Sequence, residues 1–370
     1  MQRITNTSVI SLPSDSVKRE MPNAPEGFAC PLPIPAGTRV LLGHGSGGKL
    51  SAELLQEVFL PALGNPVLDR MEDQAIVSLN GMRLAMSTDS FVVKPLFFKG
   101  GDIGSLAVHG TINDLAMGAA RPLWMSVAFI LEEGLDFEVL RRVVGSMQAA
   151  ADRAGVQIVT GDTKVVEKGS ADGLYVNTTG IGLVRDGICL SASQARPGDA
   201  ILVSGMVGDH GIAILAEREG LKFETEVRSD SAALHEVVGT LLEATQEVRC
   251  LRDPTRGGLS STLNEIAGSS RVGMELEETS IPVREAVRGA CEMLGLDPMY
   301  VANEGKLVAI VAAEAAEQAL GALRSHELGR DAQIIGRVTE AHPRMVVMRT
   351  AFGTTRIVDM LAGDQLPRIC

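Results

Sequence analysis

The pattern of apolar and polar positions changes at Gly37. Before it, Pro13, Pro22, Pro25, Pro31, Pro33 and Pro35 interrupt a polar stretch, and "CPLPIP" lacks the N–H groups a helix needs. The pattern predicts an extended or disordered N-terminal extension over residues 1–36. After it, short apolar runs alternate with longer amphipathic ones. "MRLAMSTDS" reads as a strand ending in a polar loop, and "IGSLAVHGTINDLAMGAA" as a helix. "PLWMSVAFIL" reads as a strand. "DFEVLRRVVGSMQAAADRAG" has apolar residues at helical spacing and a glycine stop, and "VQIVTGDTKV" and "LYVNTTGIGLV" read as strands. "SASQARPGDA" then supplies turn residues and a domain boundary near residue 192.

The second half repeats this texture. "AILVSG" predicts a strand, "HGIAILAEREG" and "GGLSSTLNEIAGSS" helices, and "KLVAIVAAEAAEQALGALRSH" a strand running into a helix. "AQIIGRVTE" and "RMVVMRT" complete the set as late strands. The alternation reads as two α/β domains, residues 37–192 and 193–352, followed by a mobile tail, 353–370. No short repeat is visible.

Composition narrows the possibilities. The 370 residues are 45% hydrophobic and 22% charged, as in a globular protein, and no apolar run is long enough to span a membrane. A formal net charge of −12 argues against a nucleic-acid partner, which would need clustered Lys and Arg. The five cysteines (Cys30, Cys189, Cys250, Cys291, Cys370) are scattered and odd in number. They suggest neither a disulfide framework nor a zinc site, and point to a reducing, cytoplasmic compartment. The first residues show no apolar leader.

Candidate chemistry falls into three groups. "GHGSGGKL" (Gly43–Leu50) approaches the phosphate-binding G-x-x-x-x-G-K-[ST], but Leu50 has no hydroxyl for Mg²⁺. It reads better as a glycine flap over a nucleotide held elsewhere, with Lys49 supplying charge. Asp73, Asp89, Asp114 and Asp162 lie in "MEDQA", "STDS", "TINDLA" and "TGDTK". Singly, each suits a turn or cap. Together they could hold Mg²⁺ ions on the phosphates of ATP, with Thr88, Asn113 and Thr163 adding neutral hydrogen bonds. In the second half, "RDPTRGGL" places Asp253 and Arg256 before a glycine pair and a helix start, an anion site. "VGDHG" opens another helix, and "ANEGK" sets Asn303, Glu304 and Lys306 before a strand. The chain closes on "PRIC", so Cys370 is either a chance terminal residue or a reactive thiol on a movable arm.

These motifs together, with "FILEEGL" and the terminal "PRIC", resemble the HypE family of hydrogenase-maturation carbamoyl dehydratases, within the PurM-like (AIR synthetase) superfamily. The resemblance runs from about Gly43 to Cys370. It implies a two-domain α+β fold that dimerises through its N-terminal sheets, with ATP and Mg²⁺ in the cleft. It implies that Asp73, Asp89, Asp114 and Asp162 are metal and phosphate ligands, and that Lys164 and Glu304 lie near the reacting cysteine. It further implies that Cys370 receives a carbamoyl group from the carbamoyltransferase HypF. The resulting thiocyanate would be delivered to iron on a HypC–HypD complex. A selenophosphate synthetase or thiamine-phosphate kinase would share the Asp set without needing Cys370. A non-catalytic metallochaperone would need multi-ligand spacing, which His326 and His342 do not offer.

Overall fold

The computed structural model describes residues 39–221, 226–363, 366 and 368–370, and the Pro-rich extension lies outside them. After a turn at Leu42–Gly45, helix α1 (Lys49–Leu54) continues through a π-helical turn into α2 (Leu60–Leu63). No strand precedes the glycine loop among the described residues, so it lacks the strand–loop–helix setting of a true phosphate loop. Strands β1 (Ala75–Leu79) and β2 (Met82–Phe91) form a hairpin. It closes on Asn80 and Gly81, both at positive φ (50° and 82°), a backbone that favours Asn-Gly. A minor hairpin, β3 (Phe97–Phe98) and β4 (Gly101–Asp102), leads into α3 (Ile103–Met117), β5 (Ala120–Glu132), α4 (Phe137–Ala154), β6 (Gln157–Val166) and β7 (Leu174–Val184).

The first sheet runs β1-β2-β7-β5-β6, antiparallel except for the β5–β6 pair. One face packs on α3, which is apolar nearly all round and correspondingly buried along almost its whole length. Asp102 caps α3, accepting from the N–H groups of Gly104 (2.7 Å) and Ser105 (3.2 Å). The opposite face of the sheet, including Met86 and Trp124, stays exposed.

A 3₁₀ turn at Ala192–Gln194 leads to the second unit of secondary structure. In order it comprises β8 (Ala200–Val203), α5 (Asp209–Glu219), α6 (His235–Ala244), β9 (Val248–Arg252), α7 (Gly258–Ser270), β10 (Gly273–Glu277) and α8 (Glu285–Leu294). β11 (Val308–Val311), α9 (Ala316–Ser325), β12 (Gln333–Thr339), β13 (Val346–Arg349) and β14 (Thr355–Ile357) follow. The seven-stranded sheet has the order β14-β13-β10-β12-β8-β11-β9, with only β10–β13 parallel. β8 and β11 are buried at every residue because α6 and α9 cover one face and α7 the other. That two-sided cover explains why "AILV" and "VAIV" are unbroken apolar runs.

Three expectations change. The strand–helix alternation suggested α/β domains, but both sheets are mainly antiparallel, so the class is α+β, as the family resemblance implied. Alternation specifies element type and not strand direction. "STDS" is no loop: β2 runs through it to Phe91. The segment after Gly353 is not a free tail from its start, since β14 pairs with β13 and Val358 is fully buried.

Candidate functional site

Five carboxylates converge on one cavity. Asp73, Asp89, Asp114, Asp253 and Glu304 line it together with Ser90, Thr255, Arg256 and Cys370. Asp73 precedes β1 and is held by an ion pair with Arg252 at the end of β9. Asp89 lies near the end of β2, on the face toward α3. Gly110 of α3 allows this approach: a Cβ there would meet the Phe91 ring at 2.9 Å and Asp89 Oδ2 at 3.7 Å. Asp114 sits one turn further along α3 and accepts from Ser87 Oγ at 2.5 Å. Asp253 follows β9. Glu304 lies in the loop before β11, where its N–H donates to Asp230 Oδ1 (3.1 Å). Asp230 in turn pairs with Lys306 at 3.0 Å, both largely buried.

Burial raises the pKa of all five carboxyls. Mutual repulsion adds to burial and holds Asp114, Asp253 and Glu304 well above the usual carboxylate range. Arg252 opposes this at Asp73, and Arg256 at Asp89 and Glu304. Three buried oxygens, Asp73 Oδ2, Asp253 Oδ2 and Glu304 Oε1, have no hydrogen-bond partner among the described residues. Buried acceptors left open beside other carboxylates are the chemistry of a cation site. Among the described residues, however, no three His, Cys, Asp or Glu side chains close into a ready-made metal shell. A divalent cation fits this donor set if ligands from a bound phosphate complete its coordination.

The chain's own end enters the same cleft. Val92 N–H donates to Cys370 O (3.0 Å), Lys94 N–H to Arg368 O (3.3 Å), and His210 Nε2 lies 2.9 Å from Ile369 O. Ile369 is buried in the core beneath β2 and α3. Burial pushes the Cys370 thiol up to about 12; Arg256 opposes the shift, while Glu304 and Asp89 add to it. An adjoining cavity, lined by Leu42, Gly45 and Ser46 of the glycine loop, shares Arg256, Ser90 and Cys370 with the first.

Four residues expected at the site are elsewhere in the single chain. Asp162 and Lys164 lie on β6, exposed and paired with each other at 2.7 Å. Register gives the reason. Asp89 is in the row Asp89–Thr178–Val127–Gly161, which faces α3, whereas Asp162 is one position further on, in the row Ser90–Asn177–Ala128–Asp162, on the opposite face. Lys49 turns away from both cavities to pair with Asp359 at 2.6 Å. Asn113 is spent on bracing: Nδ2 donates to Ala232 O (3.0 Å) and Glu304 O (3.3 Å), and Oδ1 accepts from Leu234 N–H (2.8 Å). Thus it positions the Glu304 loop and leaves no group for a ligand. Sequence reasoning missed Asp230, since "RSDSAAL" carries no local signal. It also missed Arg252 as the counter-charge of Asp73, although that residue stands in "RDPTRGGL".

The fold and cleft define a class that comparison with known proteins makes explicit. Residues 71–184 match the AIR synthase related protein, N-terminal domain, and residues 196–348 its C-terminal domain. Among curated proteins, the chain is 60% identical over 327 residues to carbamoyl dehydratase HypE of Azotobacter vinelandii, covering 88% of this chain and 96% of that one. Among solved structures, it is similar to hydrogenase maturation protein HypE in complex with ATP (53% identity, TM-score 0.76, 90% of this chain and 100% of that one). It is similar as well to a HypE–HypF complex (48% identity, TM-score 0.80, 83% and 99%). The chain belongs to the HypE family of carbamoyl dehydratases.

Proposed function

We propose that the protein dehydrates a carbamoyl group carried on its own Cys370, using ATP, to supply cyanide for the iron of a [NiFe]-hydrogenase. The observation that carries this reading is the placement of Cys370 in the carboxylate cavity beside Glu304. The thiocarboxamide Cys–S–C(=O)–NH₂ has a poor leaving group in its carbonyl oxygen. Attack of that oxygen on the γ-phosphorus of ATP releases ADP and turns the oxygen into a phosphate ester. Loss of phosphate, with removal of both N–H protons, leaves Cys–S–C≡N. The oxygen lost from the carbamoyl group ends on inorganic phosphate.

Glu304 is the candidate base. Its Oε1 has no partner among the described residues and is open to a substrate N–H. Arg256, at the meeting of the two cavities, is placed to stabilise transferred phosphoryl charge. Asp73, Asp89, Asp114 and Asp253 are the residues that would hold Mg²⁺, which when bound neutralises phosphate charge. A similar HypE has been solved in complex with ATP, which supports ATP as the nucleotide.

The open face of the first sheet supports a homodimer. Met86, Ile181 and Trp124 form a cross-strand apolar row there, with Met86 48% and Trp124 46% exposed, more than an unpartnered face should leave to water. Asp162 and Lys164 share this face, so they reach a cleft only through a second copy. In this reading HypF supplies the carbamoyl group; a similar HypE has been solved in complex with HypF, which supports the partnership. A HypC–HypD complex takes the cyanide, in the cytoplasm. No helix among the described residues is long and apolar enough to cross a membrane. Intact-protein mass spectrometry after incubation with carbamoyltransferase, carbamoyl phosphate and Mg·ATP tests the proposal. Wild type should gain a carbamoyl group and then lose one water. Cys370→Ala should do neither, and its modification as in wild type would refute the reading.

A further inference from the structure

The cysteine must stop at one point in the cleft, yet its side chain makes no hydrogen bond to a described residue that would fix it. The polar anchors lie two residues earlier, at Arg368. Its Nε donates to Val92 O (2.9 Å), its Nη1 to Asp172 Oδ2 (2.5 Å), and its guanidinium carbon lies 5.8 Å from the Tyr175 ring centre. Its carbonyl accepts from Lys94 N–H (3.3 Å) and Arg218 Nη2 (2.8 Å). Arg368 also has φ +54°, the left-handed region that a non-glycine residue enters at a cost. The chain therefore bends here, sending the side chain outward to Asp172 while Ile369 and Cys370 turn inward.

Asp172, in the turn between β6 and β7, receives a second cation. Lys94 Nζ lies 2.9 Å from the same Oδ2, and hydrogen bonds from Lys94 and Arg368 hold the Asp172 carboxyl below its ordinary range. This arrangement suits a contact that must break and re-form. When Arg368 leaves, Lys94 still neutralises Asp172, so withdrawal strands no charge. The Arg368–Asp172 pair is also only partly buried, at 27% and 38% side-chain exposure, so it is weak enough to release.

We propose that Asp172 is a positioning residue for the reaction, reading Arg368 of the tail and thereby setting the depth at which Cys370 stands against Glu304. This rests on the dehydratase reading above. Specificity for the chain's own end then resides in the guanidinium. A lysine at 368 would keep the charge but could not bond Val92 O and Asp172 through one planar group.

The test uses full-length protein carbamoylated on Cys370, as wild type, Asp172→Ala, Asp172→Glu and Arg368→Lys. Water loss after adding saturating Mg·ATP is followed by intact mass. Hydrogen exchange is followed at the Val92 and Lys94 amides, which the docked tail protects. Asp172→Ala should lose water about twofold to fivefold more slowly, the scale of a partly exposed ion pair, with faster exchange at both amides. Exchange in α3 should be unchanged, which separates loss of positioning from loss of fold. Asp172→Glu should recover most of the rate and protection, and Arg368→Lys should fall between. Water loss at the wild-type rate in Asp172→Ala, with Val92 still protected, would overturn the proposal. If wild type itself loses no water, the dehydratase reading fails. Amide exchange then judges the latch alone: unchanged protection in Asp172→Ala overturns it, and accelerated exchange supports it.

Discussion

Replacing Glu304 by Gln should separate the stability of the cleft from its chemistry. Glu304 is 3% exposed, and burial together with Asp253, Asp230 and Asp89 holds its carboxyl well above the ordinary range. Below the unfolded-state pKa, near 4.5, folded and unfolded chains both carry the proton, and the contribution to stability is fully present. As the pH rises through the window up to the folded-state value, the unfolded chain releases its proton while the folded chain keeps it. Stability then falls at about 1.4 kcal/mol per pH unit for this one group. Gln carries no titrating proton, so the variant escapes the loss. The melting temperature of Glu304→Gln should therefore gain on wild type with rising pH, by about 1–2 °C for each kcal/mol in a unit of this size. Differential scanning calorimetry from pH 5 to pH 8 without nucleotide reads this gap. The same variant should slow water loss from carbamoylated Cys370 by about 10²–10⁴-fold, the usual worth of a positioned base. A melting gap that stays constant or shrinks as pH rises would refute the electrostatic account. Unimpaired water loss would remove Glu304 from the role of base.

Three further outcomes follow from the same geometry. With its pKa raised to about 12, the docked Cys370 thiol is almost wholly protonated at pH 7, so alkylation should be slow and should accelerate when the tail is undocked by Arg368→Ala; equal rates would contradict the docked tail. Asp89→Asn should weaken Mg·ATP binding in calorimetric titration, and Asp162→Asn should do so only in the dimeric state, so an effect of Asp162→Asn on a monomer would count against the register argument. Leu50→Thr should leave ATP affinity unchanged, because no strand precedes the glycine loop among the described residues and Lys49 is paired with Asp359; a marked gain would restore the phosphate-loop reading.

The sequence by itself determined much of this protein. Amphipathic periodicity marked α4 and its Gly155 stop, and unbroken apolar runs marked β8 and β11. The short strand β9 carries no apolar signature, because "VRCLR" sets Arg249 and Arg252 into its pattern. The motif set and the terminal "PRIC" pointed to the family, grouped Asp73, Asp89, Asp114 and Asp162 as metal and phosphate ligands, and set Glu304, Lys164 and Cys370 at the reaction, with Asp253 in a separate anion site. These signals are local, since propensity, capping and motif chemistry act within a few residues. The tertiary structure decided what depends on contacts between distant segments. It alone showed that Asp89 and Asp162, similar in their polar settings, stand on opposite faces of one sheet, because strand register allots alternate residues to alternate faces. It turned Lys49 to Asp359 and Asn113 to the backbone of the Glu304 loop, and it brought Asp172 to Arg368 across 196 positions of chain. No local pattern encodes such meetings: each is fixed only when the two segments pack, and the charges then take the partners that burial leaves within reach.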